Sequence, residues 1–91
     1  MADEQVFFRK TGEETSAYVL VWMFEDRGRV TAEASIEAPA ADDGQYETLD
    51  FKGDAQTVLR DAVEYAALNG FDLRITTDGV EWPTELGSLV G

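Results

Sequence analysis

The side chains in this sequence that could do chemistry are almost all carboxylates. Nineteen Asp and Glu residues stand among 91, with no His and no Cys. Without imidazole the chain lacks the commonest general base and transition-metal ligand, and without thiol it lacks the sulfur alternative. Zinc sites and Ser-His or Cys-His triads are therefore excluded. Carboxylates alone can still hold calcium or work as an acid–base pair. Aligning Gly44 with the central glycine of an EF-hand loop puts Pro39 and Ala41 where two acidic ligands belong and leaves only Asp43 and Asp50 as oxygen donors, so that pattern fails. A glycosidase-like pair needs a cleft that a domain this small has little room to build. Neither the phosphate-binding loop nor the dinucleotide glycine pattern occurs around Lys10 or Lys52. We assign no catalytic, cofactor-binding or metal-binding residue and expect a protein that is not an enzyme.

The acids are dispersed along the chain, as in Asp3/Glu4, Glu13/Glu14, Glu25/Asp26, Glu33/Glu37, Asp42/Asp43 and Glu47/Asp50. Dispersal implies a charged folded surface instead of a charged tail. Two elements would set them in rows. On a strand through Glu33 and Glu37 the two carboxylates share one side about 13 Å apart. On a helix starting near Asp54, that residue, Asp61 and Glu64 fall opposite the apolar stripe.

The elements that must carry these rows follow from periodicity and turn residues. Gln5 to Arg9 is rich in β-formers and ends at the polar break Thr11-Gly12-Glu13-Glu14. Ala17 to Glu25 alternates Tyr18, Leu20, Trp22 and Phe24 against Val19, Val21 and Met23, a strand with two apolar faces. Asp26-Arg27-Gly28 reads as a tight connection into Arg29 to Ala38, whose Val30, Ala32, Ala34 and Ile36 oppose Thr31, Glu33, Ser35 and Glu37. Pro39 and the small acidic stretch after it break the sheet, and Tyr46 to Phe51 returns as a fourth strand with Leu49 in the core. Ala55, Val58, Leu59, Ala62 and Ala66 repeat at helical spacing between Asp54 as N-cap and Asn69-Gly70 as stop. Phe71 to Ile75 is a fifth strand, and Val80 to Trp82 completes a hairpin after Asp78-Gly79. Leu86, Leu89 and Val90 form a short turn over a sheet edge.

The expected fold is a single α+β domain, residues 1–91: a twisted, mainly antiparallel sheet of four to six strands with one helix, about residues 54–69, on one face. One helix cannot cover both faces of that sheet. We expect Val19, Val21 and Met23 to need further cover, from the C-terminal tail, a partner or a second copy, and Trp22 to lie in the core. The longest apolar run, Ala17 to Phe24, is far shorter than the roughly 20 residues of a membrane helix, and the acidic start of the chain is unlike a signal peptide. A cytoplasmic location without membrane contact is the expectation.

A formal charge of −12 repels nucleic acid and attracts a basic partner. The expected function is therefore a non-enzymatic, acidic protein-interaction domain that binds a basic protein surface and not nucleic acid itself. Its carboxylate rows would imitate phosphates and block a nucleic-acid-binding protein. In size and sign of charge the chain is similar to small phage and mobile-element inhibitors, anti-CRISPR proteins among them, a likeness of class that no residue motif carries. Two alternatives fit the same charge: a small housekeeping or self-associating domain of a halophilic or GC-rich host, with a homodimer as one outcome, and an immunity protein or antitoxin that neutralises a basic toxin. The candidate partner-binding residues are Glu33, Glu37, Asp42, Asp43, Asp54, Asp61, Glu64 and Trp82. The tryptophan enters because interface hot spots favour that residue, with its structural role as a plug before Pro83 weighed beside it.

Overall fold

A computed structural model of the chain describes residues 5–39 and 44–91. It is an α+β fold with six strands in two sheets and one helix. The strands are β1 (Val6–Phe8), β2 (Tyr18–Asp26), β3 (Arg29–Glu37), β4 (Phe51–Asp54), β5 (Asp72–Asp78) and β6 (Ser88–Val90), and α1 spans Ala55–Asn69. The main sheet runs β4-β3-β2-β5, and β1 pairs with β6 in a second, two-stranded sheet.

Strands β2 and β3 form a hairpin whose register is set by its turn. Arg27 and Gly28 both have positive φ, 53° and 79°, as a two-residue primed turn requires, and Asp26 pairs directly with Arg29. That register places Trp22 opposite Glu33 and Phe24 opposite Thr31. Side chains directly opposite share a face, so the aromatics of β2 lie on the same side as the polar residues of β3.

Strand β4 is antiparallel to β3, and β5 is parallel to β2. Strands β4 and β5 therefore point the same way, and parallel strands require a crossover instead of a tight hairpin. Helix α1 is that crossover, and it passes over β3 and β2 on its way. The Asp54 side chain accepts from the Thr57 amide at 3.2 Å to cap it. Its C-terminal end is closed by Gly70 at φ 72°, with the Phe71 amide donating to the Ala66 carbonyl at 2.9 Å.

Under the helix, Val19, Val21, Met23, Ala32 and Ile75 are fully buried against Val58, Leu59, Ala62 and Ala66. Small side chains on both layers, Ala32 and Ala34 on β3 and Ala55, Ala62 and Ala66 on α1, let helix and sheet approach closely. The expectation that Val19, Val21 and Met23 would lack cover is thus corrected: theirs is the face the helix seals. The face left partly uncovered is the other one. Trp22, expected in the core, stands on it and keeps 39% of its surface exposed.

Three further corrections concern boundaries. The fourth strand starts at Phe51, and residues 44–50 are irregular, although Leu49 does pack against the core. No strand forms at Val80 to Trp82. The end of the chain makes a single 3-10 turn, Thr84–Leu86, and then β6, which runs parallel to β1. The sheet edge at β5 is closed in this way, with the Lys10 amide donating to Ile75 and the Arg9 amide to Val90, both at 2.9 Å. Gly87 permits the approach: at φ 127° a Cβ would run into the Gln5 carbonyl oxygen. Among the described residues no helix is long and apolar enough to cross a membrane.

Candidate functional site

The candidate site is the outer face of the main sheet. Its central strand presents Tyr18, Leu20, Trp22 and Phe24, flanked on β3 by Glu37, Ser35, Glu33 and Thr31 and on β5 by Asp72, Arg74, Thr76 and Asp78. From β4, Lys52 lies beside Glu33 and Asp54 beside Thr31. An aromatic and aliphatic stripe therefore runs along the middle of the sheet between two polar margins that carry acids.

Cover over this stripe is uneven. The segment 11–16 lies at the Tyr18 end, where Tyr18 and Leu20 are buried, whereas Trp22 is exposed. Glu14 organises that segment. Its carboxylate accepts hydrogen bonds from the Thr11 and Gly12 amides and the Thr11 hydroxyl, each at 2.9 Å, and faces Nε of Arg74 at 3.7 Å. The Thr11 amide is the main reason its pKa is lowered to about 2; burial opposes it, and the Thr11 hydroxyl and the Glu14 and Gly12 amides add to the lowering. Arg74 is held in turn by Asp72 at 4.0 Å, by the Leu73 carbonyl at 3.0 Å and by the ring of Phe8. A depression of about 520 Å³ beside it is lined by Phe8, Glu14, Tyr18, Arg74 and Val90.

At the open end, the rings of Trp22 and Phe24 lie 4.6 Å apart between centroids, inclined at 36°. Glu33 stands directly beside Trp22, and Asp78 directly beside Phe24 on the opposite flank. Both carboxylates are exposed, and neither makes an ion pair among the described residues.

The residues singled out from the sequence divide between two faces. Glu33, Glu37 and Asp54 share the outer sheet face, with the Ser35 hydroxyl donating to Glu37 at 3.3 Å. Asp61 and Glu64 sit on the far side, on α1, where they border a shallow hollow with Phe51, Tyr65 and Leu68. Asp61 lies 3.7 Å from Arg60. The two sets cannot form one surface, because the sheet and the helix separate them. Asp42 and Asp43 lie outside the described residues. Trp82 packs against Phe7 at 5.5 Å, and its indole N–H donates to the Gly87 carbonyl at 2.9 Å, which fastens the C-terminal segment over the core.

Trp22, Phe24, Asp72 and Asp78 did not emerge from the sequence as site residues. The signal that could have found them is the hairpin turn. Two loop residues, Arg27 and Gly28, put Trp22 opposite Glu33, whereas a three-residue loop shifts the register by one and turns every side chain over.

Among the described residues no group of three or more carboxylates is gathered closely enough to hold a metal ion. The chain matches no family model, no curated protein sequence and no solved structure.

Proposed function

We propose that this chain is a non-enzymatic interaction module that binds a basic protein surface through the outer face of its main sheet. The single observation behind this reading is the exposure of Trp22 in the middle of a central strand, in ring contact with Phe24 and bordered by the unpaired carboxylates of Glu33 and Asp78. A half-buried tryptophan supplies contact area, and carboxylates around it select the charge of the partner and speed its approach. A net charge of −12 keeps nucleic acid away from the same face. The partner we favour is a nucleic-acid-binding protein whose basic groove is occupied in place of phosphate. Glu33 and Glu37, four residues apart on one side of a strand axis, supply charge at a spacing of about 13 Å.

Capture from host lysate followed by competition tests this function. One basic nucleic-acid-binding protein should be retained at low salt, released by high salt, and displaced by duplex DNA. A basic toxin that duplex DNA does not displace would transfer the protein to the immunity class, and retention of nothing specific would sink the inhibitor reading.

One observation favours a second reading. Acids also occupy α1 and the loops, well away from the sheet face, as host-wide adaptation to salt would leave them. That reading predicts that the location of a charge change does not matter.

A further inference from the structure

We infer that the Trp22–Phe24 pair is the seat for an arginine side chain of the partner, its guanidinium lying over the rings with a carboxylate on either hand. This rests on the outer sheet face being the interaction face. The block around the rings has two rows, Glu33–Trp22–Thr76 and Thr31–Phe24–Asp78. Strands lie about 4.8 Å apart, so each acid is one strand spacing from a ring, and the two stand at diagonal corners of the block. The face of an indole ring attracts a cation, and carboxylates at its margin accept the N–H groups that a guanidinium projects in its own plane. Arginine meets both demands at once, because it is planar, weakly hydrated and carries a fork of donors, whereas the lysine ammonium is a compact and strongly hydrated point charge.

The chain does not fill the seat itself. Among the described residues, the cation–π contact that forms is that of Arg74 over Phe8, at 5.9 Å, and no arginine or lysine lies over Trp22 or Phe24. A second copy of the chain is a poor occupant of the same face, because a net charge of −12 on each molecule opposes the approach. Charge complementarity therefore selects a basic segment, and the exposed face of the tilted Trp22–Phe24 pair selects arginine within it.

The test uses the full chain, labelled with ¹⁵N, and three synthetic Gly/Ser peptides of one length bearing evenly spaced arginine, lysine or citrulline. The Trp22 indole resonance should shift with the arginine peptide while that of Trp82 stays in place. We expect the arginine peptide to bind about two- to five-fold more tightly than the lysine peptide, the size of an exposed cation–π contact. Citrulline should bind weakest. Trp22→Leu, checked for folding by its melting curve, should bring arginine down to the level of lysine, and the pair Glu33→Gln with Asp78→Asn should weaken both charged peptides. Equal affinity for arginine and lysine, unchanged by Trp22→Leu, would overturn the inference. If that happens while a lysate partner still depends on the sheet carboxylates, the interaction face survives and only the arginine seat is lost. If neither peptide nor partner responds to changes on this face, both fall.

Discussion

The two faces of strand β2 are built from alternate residues of one nine-residue segment, and they have opposite fates. Val19, Val21 and Met23 face α1 and are sealed completely, whereas Tyr18, Leu20, Trp22 and Phe24 face outward, with Tyr18 and Leu20 buried near the segment 11–16 and Trp22 exposed and Phe24 partly exposed beyond it. Both faces are apolar, so hydrophobicity did not decide which would be covered. Shape and neighbours did. The inner side chains meet a helix stripe and a β3 face rich in alanine, while the outer ones are paired across the hairpin with Glu33, Ser35 and Glu37. A strand with two apolar faces, one of them bordered by charge, is what a docking face beside a core requires.

Substitutions on alternate residues give the largest contrast. Met23→Ala should cost about 2–5 kcal/mol, since it leaves a cavity beneath the helix. Trp22→Leu should cost about 1 kcal/mol, mostly its contact with Phe24. Urea titration of both variants measures the difference, and similar costs would mean that the outer face is also core.

Asp54 belongs to both faces, because it caps α1 and also lies in the outer row beside Thr31. Asp54→Ala should lose about 1 kcal/mol of stability, while Asp54→Asn, which keeps a capping oxygen, should lose much less. Both should weaken partner binding alike, so thermal melts and binding curves taken together separate the cap from the charge.

The smallest effect concerns the cover at the Tyr18 end. With its folded pKa lowered to about 2, Glu14 binds fewer protons in the folded state than in the unfolded state over the interval from about 4.5 downward. Its contribution to stability is therefore complete above pH 4.5 and is lost as pH falls toward 2. The loss of stability should appear as a fall in melting temperature across that window, the Thr11 and Gly12 amide resonances should titrate near pH 2, and Glu14→Gln should remove both.

Much of the fold was legible because local signals agreed. Asp54, the Ala55-to-Ala66 spacing and Asn69-Gly70 mark the helix to within a residue. The parallel placement of β5 was also within reach, since a strand, a helix and another strand imply a crossover. The faces of β2 were misjudged because both of its stripes are apolar and Trp22 was placed by its apolar neighbours, not by the turn. The turn sorts them: a three-residue loop, Asp26-Arg27-Gly28, would shift the β2–β3 pairing by one residue and send Trp22 inward and Val21 outward. The parallel pairing of β1 with β6 joins segments about eighty residues apart and leaves no local trace, apart from the strained Gly87 that admits it. Nor could the sequence sort the acids by face, because Glu33 and Glu64 look alike until helix and sheet are stacked.

The most direct test of the account compares two variants of equal charge. Glu33→Lys with Glu37→Lys changes the sheet face, Asp61→Lys with Glu64→Lys changes the helix face, and each moves the net charge from −12 to −8. With affinity for the retained basic partner measured at low salt, the sheet variant should bind at least about tenfold more weakly, as loss of close charge pairs does, while the helix variant stays within about twofold of the parent. Equal losses in the two variants would contradict a located site and assign the attraction to overall charge alone.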